Sequence, residues 1–166
     1  KSKDKIKDYI SEGNLILVQV TRGPEEKKGA RLPLKPVLTS RNLVFTPGSL
    51  KIAVSRRITD TGTQNRLTSI FSKRDITIGG FILRKSAEGR TAEELFAEAS
   101  GLEEEWLKIE SKLKACDRPQ IIRREIPAAQ RLIRDFGVSL KDVLTDDVST
   151  FNNLKNYTAA ETPDIT

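Results

Sequence analysis

The chain has 166 residues, a net charge of +6, no histidine and one cysteine, Cys116. These counts exclude histidine acid–base pairs, serine–histidine–aspartate triads, histidine metal sites, an internal disulfide and a multi-thiolate zinc site within the chain. Of the residues, 37% are hydrophobic and 31% are charged, as in ordinary globular proteins. No apolar run approaches the ~20 residues that span a bilayer. We expect Cys116 to be a plain buried or half-buried thiol.

The first half of the chain predicts a series of short strands. Residues 14–20 form an aliphatic run that predicts a buried strand. Residues 30–37 alternate between apolar and other residues, but their two prolines predict an edge strand. Further along, the pattern predicts strands over residues 43–45, 52–58 and 77–83 and a helix over residues 61–74.

The clearest local signal is a long helix over residues 92–114. Thr91 and Glu94 have the spacing of a capping box at its start. Apolar residues then follow in alternating steps of four and three, which places one apolar stripe on the helix. They are Leu95, Ala99, Leu102, Trp106, Ile109 and Leu113. Gly101 lies inside the helix, where it costs about 1 kcal/mol relative to alanine, and it predicts a kink or a close-packing point.

The last 40 residues predict a helix over residues 127–136, a strand over 138–144 and a final helix over 148–157. Asp146 and Asp147 precede the final helix. Such a pair of carboxylates could hold Mg²⁺, but aspartate before a helix is favoured as an N-terminal cap. We predict the cap, because no further acidic residue is placed to complete a metal site.

Charge is unevenly distributed along the chain. Residues 1–85 contain 18 basic and 7 acidic side chains, whereas residues 86–166 have a net charge of −5. From Lys27 to Thr59 there are eight basic residues and no acidic one. Such a stretch attracts phosphates, although it could also be a solvated face whose acidic partners come from the other half.

Two pairs of basic residues are candidates for phosphate binding. Arg84 and Lys85 follow the predicted strand 77–83, where they could hold a terminal phosphate with the backbone amides of the next loop. Arg56 and Arg57 end the predicted strand 52–58 and would suit internal phosphates, with little reading of bases. Ordinary surface charge at a strand end is the alternative for Arg84 and Lys85.

The order and spacing of these segments resemble the ribonuclease E/G family. The resemblance covers nearly the whole chain, including the capped helix with Trp106, Pro119 and the stretch 144–147, and Ser55-Arg56-Arg57-Ile58 is its most specific part. The other matching segments are Leu17-Val18-Gln19-Val20-Thr21, Lys28-Gly29-Ala30-Arg31-Leu32, Leu43-Val44, Pro47, Gly80-Phe81-Ile82-Leu83-Arg84 and Ala87-Glu88-Gly89.

The resemblance implies a mixed α/β chain of three parts. Residues 1–36 would be the C-terminal part of an RNA-binding OB-fold barrel. Residues 37–125 would be a compact α/β 5′-sensor that contains the helix 92–114, and residues 126–166 a fragment of an RNase H-like domain. Since the chain begins with Lys1 and not Met, we expect a piece of a longer protein.

By position, Val44 and Arg84 resemble members of the family's 5′-phosphate pocket. The family usually has threonine where this chain has Lys85 and glycine where it has Ser40; Lys85 could still bind a phosphate. Lys28 resembles an RNA-contacting lysine of the barrel. Together with the basic residues identified above, these positions predict a 5′-phosphate site of Arg84, Lys85 and Val44 and an RNA-backbone site of Lys28, Arg31, Arg56 and Arg57.

Family enzymes cut single-stranded RNA and prefer 5′-monophosphate ends. Their Mg²⁺-binding aspartates and zinc-linking cysteines are expected outside this chain, so we expect no catalytic residue and no cofactor in this segment. The implied partner is single-stranded RNA with a 5′-monophosphate, in the bacterial cytoplasm or an organelle, and homo-oligomerisation of the whole enzyme is a hypothesis. A free-standing RNA-binding or accessory protein and a protein-interaction module for an acidic partner are the alternatives.

Overall fold

The computed structural model describes residues 5–137, 140 and 142–161, except for the side chains of Ile6 and Glu161. The chain divides into two compact units, Lys1–Ile122 and Arg123–Thr166. Its helices and strands confirm the mixed α/β part of the predicted fold class. The helices and strands are β1 (Leu38–Thr39), β2 (Leu43–Pro47), β3 (Ile52–Val54), α1 (Thr61–Phe71), β4 (Gly79–Leu83), α2 (Ala92–Lys114), α3 (Ala128–Phe136) and α4 (Val148–Glu161).

The four strands form one sheet in the order β1-β2-β4-β3. β2 is antiparallel to both β1 and β4, whereas β3 is parallel to β4. Side chains alternate across the sheet, so that Phe45 and Phe81 are fully buried while Val44 is half-buried and Ile82 is 37% exposed. The buried face packs against α2 and α1, which leaves Val44 and Ile82 on the opposite, outer face.

α2 has the predicted bounds. Both hydrogen bonds of the capping box are present: the Glu94 backbone N–H donates to the Thr91 hydroxyl at 3.2 Å, and the Thr91 N–H donates to the Glu94 carboxylate at 2.8 Å. Five of the six residues of the predicted stripe are buried, from Leu95 to Ile109. Gly101, however, is exposed, and a Cβ atom there would meet no atom within 4 Å. Of the two alternatives predicted for Gly101, the close-packing point is wrong and the kink stays a prediction.

The two strands predicted before residue 38 do not form. Residues 14–20 and 30–37 belong to no strand, and Val20 is 66% exposed, so the buried strand is a wrong prediction. The segments approach each other at isolated points, as where the Thr21 N–H donates to the Arg31 carbonyl at 3.0 Å. Two prolines in the second segment remove backbone donors, which prevents a continuous ladder.

Other predicted elements form with shifted ends. β3 ends at Val54, four residues before the predicted end, because Ser55 to Ile58 form a turn in which the Ile58 N–H donates to the Ser55 carbonyl at 3.0 Å. α1 ends three residues early and α4 runs four residues further than predicted. Of the predicted strand 138–144, residues 140 and 142–144 lie in no strand, and residues 138, 139 and 141 lie outside the described residues.

In the second unit, Asp147 caps α4. Its carboxylate accepts a hydrogen bond of 2.6 Å from the Thr150 N–H, which confirms the predicted cap. Arg134 of α3 is buried and pairs with Asp135 at 3.0 Å and with Glu125 at 3.6 Å. Among the helices of the described residues, none is both long and apolar enough to cross a membrane. The assignment of residues 1–36, 37–125 and 126–166 to three family domains stays a prediction.

Candidate nucleic-acid interface

Three separate segments of the chain meet at one edge of the sheet. Leu83, the last residue of β4, pairs with Leu43 at the start of β2 and with Val54 at the end of β3. The turn before β2 and the loops after β3 and β4 therefore lie side by side. We call the cations of these segments the basic edge: Arg41, Arg56, Arg57, Arg84 and Lys85.

Arg84 continues the backbone of β4 in an extended conformation. Its N–H donates to the Asn42 carbonyl at 2.8 Å, which extends the pairing with β2 by one residue. The half-buried guanidinium donates through Nη1 to the carbonyl oxygens of Ser40 at 2.7 Å and Arg41 at 3.3 Å. A guanidinium is planar and rigid, so these two contacts fix the plane of the whole group.

Val44 and Arg84 occupy the same side of neighbouring strands. Val44 pairs with Ile82, and Arg84 follows Ile82 by two residues along the extended backbone. Since side chains alternate along a strand, Val44, Ile82 and Arg84 share the outer face of the sheet. The outer face of the sheet therefore has an apolar surface near a cation, and the assignment of Val44 and Arg84 to a phosphate site stays a prediction.

Lys85 opens a short 3₁₀ turn, Lys85–Ala87. Its ammonium is 2.6 Å from the Glu88 carboxylate, and its side chain is 54% exposed. An exposed ion pair of this kind contributes only about 0–1 kcal/mol. A phosphate could therefore compete with Glu88 for Lys85 at small cost.

Arg56 and Arg57 are both exposed in the turn that follows β3. The Ser55 N–H donates to the Leu83 carbonyl at 2.8 Å, which fixes this turn beside the end of β4. The Arg57 N–H donates to the Ser55 hydroxyl at 3.3 Å. The two guanidinium groups therefore extend the positive charge of the basic edge beyond Arg84.

Lys28 and Arg31 lie elsewhere, on an arm that we define as residues 20–32, all of which are exposed. The backbones of Glu25 and Lys28 exchange two hydrogen bonds of 2.9 Å, so the arm is a narrow hairpin. Near the base of the arm, the side-chain amide of Gln19 donates to the Val37 carbonyl at 3.1 Å and accepts from the Val37 N–H at 3.0 Å, immediately before β1. The predicted RNA-backbone residues thus fall into two groups.

Glu98 bonds to the turn that carries Arg41 of the basic edge, a contact that was not predicted from the sequence. Its carboxylate accepts hydrogen bonds from the Ser40 hydroxyl, from the Asn42 N–H at 2.7 Å and from the Asn42 side-chain amide at 2.7 Å. One signal was available: Glu98 stands three residues after Leu95 and four before Leu102, so it lies on the apolar stripe of α2. An acidic residue on a buried face needs a hydrogen-bonding partner.

Among the described residues, there is no group of three or more histidine, cysteine, aspartate or glutamate side chains that could hold a metal ion. Asp147 is engaged as the cap of α4, as described above. Cys116 is half-buried, as predicted, and its thiol contacts the Arg118 carbonyl at 3.3 Å and the Gln120 amide at 2.8 Å.

Comparison with known proteins identifies relatives over nearly the whole chain. The model of the Ribonuclease E/G family matches residues 37–166. Ribonuclease G of Salmonella typhimurium is 34% identical over 162 residues, which are 97% of this chain and 33% of that protein. Ribonuclease G of Haemophilus influenzae is 34% identical over 96% of the chain and 33% of its own length. Ribonuclease E of a Nostoc species is 26% identical over 92% of the chain and 22% of its own length.

The chain thus spans about a third of the length of the ribonuclease G relatives that it matches. The family model includes the whole sheet, the basic edge and α2, whereas the arm lies before its first matched residue. The match of more than half the chain, together with the ribonuclease G relatives, confirms the resemblance found in the sequence. The chain belongs to the Ribonuclease E/G family.

Proposed function

We propose that this chain is the RNA-binding and 5′-end-sensing segment of an endoribonuclease that cuts single-stranded RNA in RNA processing and decay. The segment binds RNA and selects its 5′ end, and residues outside it break the phosphodiester bond with Mg²⁺, in an enzyme that also holds zinc. The cellular site of this activity is the bacterial cytoplasm or an organelle. Residues 1–36 are the remainder of an OB-fold barrel, residues 37–125 the sensor and residues 126–166 an RNase H-like fragment.

The basic edge is the observation that carries this proposal. A terminal monophosphate has more negative charge and more free oxygens than an internal diester, so a fixed guanidinium beside an apolar surface favours the terminal group. Arg84 has the fixed plane, and Val44 and Ile82 provide the apolar surface next to it. Lys85 adds a second cation in the next loop.

Binding of the rest of the RNA chain is assigned to the remaining cations. Arg56 and Arg57 continue the basic edge, and Lys28 and Arg31 project on the exposed arm. Contacts of this kind neutralise phosphates without reading bases, so they position the RNA and make its affinity depend on salt. A protein-interaction module for an acidic partner would also use such a surface, but it would not distinguish RNA ends.

The test compares the affinity for one short RNA with a 5′-monophosphate and with a 5′-hydroxyl. The unmodified chain should prefer the 5′-monophosphate. Arg84→Ala should weaken binding of that RNA about tenfold, because a hydrogen bond to a charged group contributes about 1.5–3 kcal/mol. Arg84→Lys should not restore the full preference, since an ammonium cannot make a paired contact. Binding of 5′-hydroxyl RNA should change little in either variant.

Lys112→Ala is the matched control, because Lys112 is an exposed cation on α2. It should leave the ratio of the two affinities unchanged. If the unmodified chain binds both ends equally, sensing is refuted and the protein is a general RNA-binding segment. If RNA binding itself shows no dependence on salt, the protein-interaction alternative replaces the proposal.

A further inference from the structure

The turn that holds Arg84 lacks the conformation that two-residue hairpin turns favour. Residues 40–42 connect β1 to β2, and the Ser40 N–H donates to the Leu43 carbonyl at 2.9 Å, so that Arg41 and Asn42 are the two central residues of the turn. Neither Arg41 nor Asn42 has a positive φ, whereas the turn types that match the strand twist best require one. Side chains from outside the turn make contacts that help to define its shape.

Glu98 supplies these contacts from α2. Its half-buried carboxylate accepts hydrogen bonds from the Ser40 hydroxyl, the Asn42 N–H and the Asn42 side-chain amide, so it bonds to both ends of the turn. Hydrogen bonds to an ionised group are about twice as strong as neutral ones. The helix and the turn lie 56 residues apart in the chain, and one carboxylate joins them.

The same turn receives the segment that follows β4. The guanidinium of Arg84 donates to the carbonyls of Ser40 and Arg41, and the Ser86 hydroxyl donates to the Arg41 carbonyl at 2.6 Å. A displacement of the turn would therefore displace the two oxygens that fix the plane of the Arg84 guanidinium.

We propose that Glu98 is a positioning residue for 5′-phosphate selection: it holds the turn of residues 40–42, and through the turn it orients Arg84. The inference rests on the proposed function of Arg84. Ser40, where the family usually has glycine, contributes to this contact because its hydroxyl donates a hydrogen bond to the Glu98 carboxylate. Glu98 touches no RNA in this arrangement and acts only through the turn.

The experiment measures the 5′-monophosphate to 5′-hydroxyl affinity ratio in Glu98→Ala. The ratio should fall by about threefold or more, because a misaligned group loses much of a charge-assisted contact. The double variant Glu98→Ala with Arg84→Ala should match Arg84→Ala alone, because Glu98 acts through Arg84. Glu98→Gln should keep more of the ratio than Glu98→Ala, since its amide oxygen still accepts from the Asn42 N–H.

Glu104→Ala is the matched control, because it removes an equal charge from an exposed position of the same helix. It should leave the ratio unchanged, which separates positioning from a general effect of charge. Thermal unfolding of each variant identifies loss of fold. If Glu98→Ala unfolds, Ser40→Ala removes one of the three contacts instead and should lower the ratio by a smaller factor.

A second readout does not depend on RNA. It uses the NMR signals of the arginine side-chain N–H groups, in which the signal of Arg84 is identified by its loss in Arg84→Lys. In Glu98→Ala, the Arg84 N–H should exchange faster with water than in the unmodified chain. An unchanged Arg84 signal, or an unchanged affinity ratio in a chain that does prefer the 5′-monophosphate, would overturn the role of Glu98. If the unmodified chain has no end preference, the proposed function fails, and with it the assignment of Glu98 to phosphate selection; the NMR signal then decides only whether Glu98 holds Arg84.

Discussion

Gly80 of β4 passes so close to Lys51 that a Cβ atom on residue 80 would lie 2.1 Å from the Lys51 carbonyl oxygen. That oxygen accepts a hydrogen bond of 3.0 Å from the Phe81 N–H, immediately before β3 begins to pair with β4. The close approach of the two backbones is therefore part of the junction that places β3, and the turn after it, beside β4.

Gly80→Ala should destabilise the chain strongly. The added methyl group would meet backbone atoms, which cannot rotate away as a side chain can, and overpacking typically costs about 1–3 kcal/mol or more. The measurement is the free energy of unfolding in urea. Gly101→Ala is the control, because its methyl group would enter open space on an exposed helix surface and should stabilise by up to about 1 kcal/mol. Equal stability of the two variants would refute the close approach.

Replacement of Arg56 and Arg57 together by alanine should weaken binding of single-stranded RNA to a similar degree for every sequence. Because both guanidinium groups are proposed to contact phosphates, the slope of log affinity against log salt concentration should decrease in magnitude by about 1–2. Titrations at several salt concentrations provide the measurement. The double replacement of Lys108 and Lys112, two exposed cations of α2, removes the same charge elsewhere. Were both double variants to bind alike, the basic edge would be surface charge only.

The chain should bind RNA without cutting it, with or without Mg²⁺. Within the described residues there is no cluster of carboxylates for a metal ion, and the sequence has no histidine to act as a general base. Incubation of labelled single-stranded RNA with nuclease-free preparations checks this. Metal-dependent cleavage that purifies with the chain would contradict the assignment of the catalytic residues to other parts of the enzyme.

Asp60 should make the stability of the first unit depend on pH in the acidic range. Hydrogen bonds from the Thr63 side chain and the Thr63 backbone N–H lower the pKa of Asp60 below its ordinary value of 3.8. A carboxyl with a lowered pKa in the folded state stabilises it above the unfolded pKa, and this contribution disappears as the pH falls through the folded pKa.

Asp60→Asn provides the comparison, since asparagine also caps helices but does not titrate. The difference in melting temperature between the unmodified chain and Asp60→Asn should shrink as the pH falls from neutral to below the ordinary pKa of 3.8 and on through the lowered pKa of the folded state. A difference that stays constant over this range would show that the charge of Asp60 does not stabilise α1.

Local patterns predicted the parts of the fold whose stability is local. The bounds of α2 followed from the capping box and the apolar stripe, both of which act within one helix. The strand predicted over residues 14–20 failed because a strand needs a partner, and the partner available to it contains two prolines. β3 was foreseen, but its parallel pairing with β4 depends on a connection of more than 20 residues that no periodicity encodes.

The candidate site shows the same division. Arg84, Lys85, Arg56 and Arg57 were identified from adjacent charges at predicted strand ends, and strand pairing then brought them to one edge. The place of Glu98 could not be predicted, because it depends on a turn that the sheet brings to the helix from a distant part of the sequence. Its position on the apolar stripe indicated only that its carboxylate needs a hydrogen-bonding partner.

The alternation of β4 has a consequence for how this edge can change in evolution. Phe81 and Leu83 must face the helices, so residue 84 is obliged to face the opposite way. Mutation can exchange the chemical group at position 84, but it cannot redirect that group without a shift of register that would expose both apolar side chains to water. Under the proposed function, single substitutions at position 84 would change the preference for RNA ends, while the direction in which residue 84 points stays fixed by the core.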